Sequence, residues 1–242
     1  MAVLLTRPHP DNEASAARLR GKGFEVLLAP MLRFEPVGFH DDPGARYDAV
    51  MVTSANALRA IGPHLANRRL LDLPLFAVGE HTASTARALG FRNVISTNSD
   101  AAGLRDRLLQ SVRSKELKKS SRLLYLAGAD LSRDLAGELD KRGLHVVTHT
   151  TYRMVPLSTL PREICEAFAG NRVQAVLHYS RRCAAAFLEA VRTEGIEISA
   201  LAVPQCCISG NVASVLHEAQ VLIAASPDEN SLFEALERAL RT

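Results

Sequence analysis

Five short segments rich in small polar residues and arginine follow directly on apolar runs: Ser54–Asn56, Gly79–Thr82, Gly128–Asp130, Ser180–Arg182 and Ser209–Asn211. Such residues suit a strand turning into a helix, where free backbone N–H groups and the helix dipole favour an anion. Their small side chains let a ligand come close to the backbone. Arg7, Arg181 and Arg182 could add planar, paired contacts to carboxylates. Taken singly, each turn reads more readily as a helix cap than as a ligand contact. Thr82 would serve equally as a cap or as a contact. Five turns on one sheet edge argue for a binding site for an acidic small molecule. His9, His81 and His178 share no ligand spacing and are expected in surface or capping roles. Neither a dinucleotide glycine pattern nor a phosphate loop is present, and no His/Cys cluster suggests a metal.

The composition narrows the class further. The chain has 242 residues, 47% hydrophobic, with few aromatics and no tryptophan, so Ala, Leu and Val must carry the core. A net charge of +3 is too weak to imply nucleic acid. No apolar run reaches the length of a membrane span, and Arg7 and Pro8 interrupt the apolar start where a signal peptide would continue. Cys165, Cys183, Cys206 and Cys207 form no C-x-x-C pair and read as buried or half-buried thiols in a reducing compartment. A cytoplasmic location is the resulting expectation.

The elements that must position these turns follow from periodicity. Strand-like runs are predicted at Val3–Thr6, Glu25–Ala29, Ala49–Thr53, Leu75–Val78, Asn93–Ser96, Leu123–Leu126, His145–His149, Ala175–Tyr179, Gln205–Ile208 and Val221–Ala224. Alanine-rich helical stretches separate most of them, which indicates parallel sheets covered on both faces. The sequence also repeats itself. A shift of 120 residues sets Leu4 on Leu124, Leu19 on Leu139, Gly23 on Gly143 and Pro36 on Pro156. Gly23 and Gly143 would close helices in the left-handed region, with Asp11 and Ser132 as N-caps at the other ends. A second pair of units matches around Ser54 and Ser180 and around Asp100 and Asp228. The order small, large, small, large implies two similar domains. Tandem domains would break in the lysine-rich stretch Ser111–Ser121; swapped domains would cross at Leu32–Val37 and Tyr152–Leu157. That polar stretch could equally be a surface loop, so the pattern leaves both arrangements open.

The same segments resemble those of the uroporphyrinogen-III synthase family, in order and over nearly the whole chain. They are Val3–Pro8, Val52–Asn56, Ala77–Ala83, Thr151–Val155, His178–Arg182 and Ser226–Leu232. The resemblance implies two flavodoxin-like α/β domains joined by a two-stranded linker, with a substrate cleft between them. Residues 1–34 and 156–242 would form one domain, 38–150 the other, with linkers at about 32–37 and 150–157. It implies ring closure of hydroxymethylbilane, with inversion of the last pyrrole ring and loss of water, without cofactor or metal. Tyr152, matching the family tyrosine, would assist departure of the hydroxyl. Arg7, Ser54, Ala55, Asn56, Gly79, Thr82, Gly128, Ser180 and Arg181 would hold the substrate. Val212, in the place answering Thr82, cannot offer a side-chain hydrogen bond. A monomer is expected, without nucleic acid or membrane, and with the preceding bilane-forming enzyme as a candidate donor of substrate. The competing reading is a non-catalytic two-domain protein that binds a small polycarboxylate.

Overall fold

The computed structural model describes residues 2–39, 42, 44–65, 68–97 and 100–241. In chain order the elements begin with β1 (Ala2–Leu5), α1 (Asp11–Gly21), β2 (Glu25–Leu28), β3 (Leu32–Pro36), β4 (Ala49–Val52) and α2 (Ala55–Ile61). There follow β5 (Pro74–Val78), α3 (Gly79–Ala88), β6 (Asn93–Thr97), α4 (Ala101–Arg113), β7 (Arg122–Gly128), α5 (Leu135–Asp140) and β8 (His145–Pro156). The last are α6 (Arg162–Ala169), β9 (Val173–His178), α7 (Arg181–Thr193), α8 (Glu197–Leu201), β10 (Gln205–Cys207), α9 (Gly210–Ala213), β11 (Val221–Ile223) and α10 (Glu229–Ala239). Every predicted strand run is a strand. The extended tail after β2 is a further strand, β3.

The chain divides into two compact units. One holds the residues up to Arg33 and those from Val155 onward; the other runs from Phe34 to Met154. The first unit's sheet has the order β11-β10-β9-β1-β2, every pairing parallel. Continuous apolar strands suit burial on both faces. Val3 and Leu5 of β1 meet Leu19 of α1 and Phe233 and Leu236 of α10. On β10, adjacent cysteines point to opposite faces: Cys206 joins that cluster and Cys207 packs with Ala184, Val212 and Leu216.

The second unit's sheet has the order β3-β8-β7-β4-β5-β6, parallel from β8 through β6. Val50 and Val52 of β4 face Leu58, Ile61 and Ala83 on α2 and α3. Ala49 and Met51 face Leu104, Leu108, Leu135 and Leu139 on α4 and α5. Strand β3 lies beside β8. The backbone bonds Val37 N–H to Thr151 O and Leu157 N–H to Met31 O pair the two in opposite senses.

Several local expectations change. Gly23 and Gly143 do take φ of 89° and 92° after α1 and α5. The N-caps are Pro10 and Asp134, however, not Asp11 and Ser132. Asp11 is already helical, and Asp134 lies close enough to accept the Gly137 N–H at 2.9 Å. The stretch Ser111–Ser121 is no linker: Ser111 belongs to α4, and both serines are buried within the second unit. Leu117 anchors the turn in the core while Lys118 and Lys119 stay exposed. Among the described residues no helix is long and apolar enough to cross a membrane.

Candidate functional site

In the second unit, the C-terminal ends of β4, β5 and β7 lie side by side and carry most of the candidate residues. Ser54 caps α2: its hydroxyl accepts the Asn56 N–H at 3.2 Å and its carbonyl the Ala57 N–H at 3.2 Å. The Ala55 N–H is left without a partner among the described residues, although the Ala55 side chain is buried. Asn56 is committed on both sides of its amide. Its Nδ2 donates to Met154 Sδ at 3.7 Å, and its Oδ1 accepts from Arg59 Nη1 at 2.7 Å. Arg59 also meets His81 Nε2 at 3.3 Å. Arg59 stands three residues after Asn56, a helical spacing that the sequence displayed.

Gly79 opens α3 with φ of 73°, and a Cβ there would meet nothing. A side chain is excluded by backbone conformation rather than by space. Thr82 lies one turn inside α3, buried, with Val78 as the N-cap residue, so it is not the cap. Its hydroxyl makes no hydrogen bond among the described residues. Gly128 ends β7, but no helix starts there; α5 begins only at Leu135. A Cβ on Gly128 would lie 2.7 Å from Tyr152 Cζ, so its bareness admits the Tyr152 ring. That ring is half-buried and stacks on Phe34, centroids 5.7 Å apart and planes at 28°. Behind this edge, Tyr125 Oη meets Thr53 Oγ1 at 3.1 Å, and burial raises the Tyr125 pKa.

In the first unit, Arg7 and Ser180 line one open cavity of about 380 Å³ with Tyr179, Cys183, Asp228 and Glu229. Arg181 lines a different cavity, with Arg192 and His217. Arg7 is internally paired. It donates to Glu229 at 3.3 Å and to Ser15 at 3.1 Å, and stands 4.7 Å over the Tyr179 ring. Glu229 also accepts from Tyr179 Oη at 2.8 Å, from Ser15 and from Arg18. Burial resists its ionisation, but the Ser15 and Tyr179 hydroxyls and the two guanidiniums outweigh that and hold its pKa low. Burial, with the Glu229 charge beside it, drives the Tyr179 pKa upward. Tyr179, just after β9, meets Glu229 at the start of α10, and no spacing in the chain signals it. The Ser180 hydroxyl accepts the Cys183 N–H at 3.2 Å and caps α7. Ser209 precedes α9 without a side-chain cap bond, and Val212 is buried.

His178 is neither surface nor cap but fully buried at the end of β9. Gln205 Nε2 donates to the Ala200 and Val203 carbonyls, which turns Gln205 Oε1 toward His178 Nε2 at 2.9 Å. Nε2 therefore carries the proton. Nδ1 faces the Thr6 hydroxyl at 3.2 Å. Burial lowers the imidazole pKa to about 4, against a smaller opposing effect of Gln205. Cys183, Cys206 and Cys207 are buried and Cys165 partly so; burial raises all four pKa values, Cys206 and Cys207 to about 12. Among the described residues no group of three or more His, Cys, Asp or Glu is placed to hold a metal ion.

Comparison with known proteins adds the family. A family model described as uroporphyrinogen-III synthase HemD matches residues 13–234. A solved uroporphyrinogen-III synthetase from Helicobacter pylori is 18% identical, with a TM-score of 0.65, over 99% of this chain and 99% of that one. A mutant uroporphyrinogen III synthase from the extremely thermophilic bacterium Thermus thermophilus is 18% identical, with a TM-score of 0.56, over 100% of this chain and 99% of that one. At this identity the two structures show a shared fold. Comparison with curated protein sequences gives no significant match.

Proposed function

Because the chain belongs to the uroporphyrinogen-III synthase HemD family, we infer that it closes hydroxymethylbilane into uroporphyrinogen III. The single observation that carries this reading is the family match, which extends over most of the chain. The enzyme acts in tetrapyrrole synthesis on a small-molecule substrate. In class it is a cyclising hydro-lyase. The bilane hydroxyl leaves as water, and the resulting azafulvene is attacked by the far pyrrole at its substituted carbon. A spiro intermediate then rearranges with the last ring inverted.

The roles of individual residues are assigned as follows. The unpartnered Ala55 N–H and the α3 N-terminus at Gly79 offer amide donors to substrate carboxylates. Ser54 holds the first of these turns in shape, and Thr82 contributes a hydroxyl with no competing partner. Asn56 offers the second hydrogen of its side-chain amide, since its backbone N–H goes to Ser54, one Nδ2 hydrogen to Met154 and its Oδ1 to Arg59. In the other unit the α7 N-terminus at Ser180 and Arg181 plays the corresponding part. Arg7, already paired with Glu229, shapes its cavity and offers only its remaining N–H groups. Tyr152 Oη makes no hydrogen bond among the described residues and is the group that assists the leaving hydroxyl. The phenol supplies a single hydrogen bond, and most of the acceleration comes from holding the chain ends together. No cofactor is assigned, and the protein is read as a cytoplasmic monomer that receives its bilane from the preceding enzyme.

The test is the isomer formed. Purified protein given enzymically generated hydroxymethylbilane should yield the type III isomer, and Tyr152→Phe should lower turnover about tenfold or more. Formation of the type I isomer alone, the spontaneous product, would overturn the assignment. Full activity of Tyr152→Phe would remove the phenol from the mechanism while leaving the enzyme assignment intact.

A further inference from the structure

We propose that Thr151 is the positioning residue for Tyr152: as the extra residue of a β-bulge, latched by its hydroxyl to Ala127, it turns the phenol onto the face of Gly128 and Phe34. The proposal rests on the role given above to Tyr152.

Side-chain direction along β8 carries the argument. Val146 packs with Leu135, Leu139 and Leu144, on the α4 and α5 side of the sheet. Strict alternation would send Tyr152, six residues on, to that same side. The ring instead packs with the cluster of Ala57, Leu58 and Ala83 on the α2 and α3 side. The switch occurs between Ala127 and Gly128 of β7. Ala127 stands opposite Thr150 and Gly128 opposite Tyr152, so Thr151 has no place opposite it on β7. One such insertion inverts the facing of everything beyond it. Without it, the threonine side chain would stand opposite Gly128 and the phenol would go to the opposite side.

The bulge is held at its hydroxyl and at its carbonyl. Thr151 is fully buried; its hydroxyl donates to Ala127 O at 3.1 Å and its carbonyl accepts the Val37 N–H at 2.7 Å. The ladder resumes at once with Ala129 N–H to Tyr152 O at 2.8 Å. The phenol itself makes no hydrogen bond among the described residues. Its place is set by shape alone: Gly128 on one side, Phe34 on the other, and the backbone turn at Thr151 beneath. Gly128 is bare to leave this seat open, since a Cβ there would press on Tyr152 Cζ at 2.7 Å and on its hydroxyl oxygen at 2.9 Å.

The experiment is a double-mutant cycle with Thr151→Val and Tyr152→Phe, read as kcat, KM and the ratio of type III to type I isomer. Thr151→Val keeps the β-branched shape and removes the latch; Thr151→Ser restores a hydroxyl. The expected result is a fall in kcat of about tenfold for Thr151→Val with KM changed less than threefold. Type I should increase, Thr151→Ser should recover, and Thr151→Val should cost nothing further in a Tyr152→Phe background. Equal loss in both backgrounds, or wild-type kcat in a folded Thr151→Val, would overturn the proposal. Should Thr151→Val fail to fold, Gly128→Ala tests the same seat from the β7 side. It should lower kcat in the wild type and be neutral beside Tyr152→Ala; equal loss in both would again refute it. If Tyr152→Phe is fully active, the fault lies with the role of Tyr152, and that outcome is visible separately.

Discussion

At the scale of single residues, burial and hydrogen bonding decide which polar side chains are free to act. His178 is the clearest case of one that is not. Its imidazole is neutral, with its pKa near 4 against about 6.5 in an unfolded chain. Above pH about 6.5 it is neutral in both states and adds no pH dependence. Below that, the unfolded chain takes up a proton that the folded protein refuses, so stability falls as the pH drops toward 4, by at most on the order of 3 kcal/mol. Denaturant unfolding between pH 7.5 and 5 should show this slope in the wild type and a smaller one in His178→Gln. Equal slopes would refute a buried neutral imidazole. Composition alone indicated half-buried or buried, unbridged cysteines, and so they are. The same means could not place His178, because a histidine in an apolar run looks alike whether it faces solvent or a buried glutamine.

Elements supply the turns, and here sequence spacing is informative until two elements must meet. Ser54 and Ser180 are legible as caps because a cap acts within three residues of itself. Gly79 is legible as a turn residue, and its structure explains why: φ of 73° with open space around the missing Cβ. Gly79→Ala should therefore destabilise through backbone strain, by about 1 kcal/mol, without a packing clash. Thermal unfolding should register this as a modest drop in Tm, and an unchanged Tm would show that the turn relaxes freely. By contrast, the Tyr179–Glu229 hydrogen bond joins residues on β9's end and α10. No periodicity announces such a pair. The facing of Tyr152 is lost for a related reason. Alternation is the rule by which strands are read, and one inserted residue reverses it.

For the whole molecule, each unit has its own sheet and its own core clusters. The sheet β3-β8-β7-β4-β5-β6 draws all its strands from one continuous stretch of chain. A fragment of residues 32–156 should therefore fold by itself, with a cooperative thermal transition followed by circular dichroism. A featureless melt would show that this core needs the remainder of the chain. The other unit draws β1 and β2 from the start of the chain and β9, β10 and β11 from its end, so no single fragment contains it.

The sequence by itself determined the α/β class, the strand runs, the duplication and the family resemblance, because each rests on local periodicity or on order along the chain. It also offered the strand-end turns as candidate places for an anion. The repeat pattern left open whether β1 and β2 share a sheet with β9 or with β4; the resemblance implied β9, and in the structure they lie in its sheet. Tertiary structure alone decided that Arg7 is spoken for by Glu229, that Arg181 lines a separate cavity, and that Tyr152 leans on Gly128. These are contacts between residues far apart in the chain, fixed by which strands pair and by one inserted threonine. Strand pairing and facing are cooperative choices of the folded sheet, and a linear pattern that fits two arrangements equally well cannot make them.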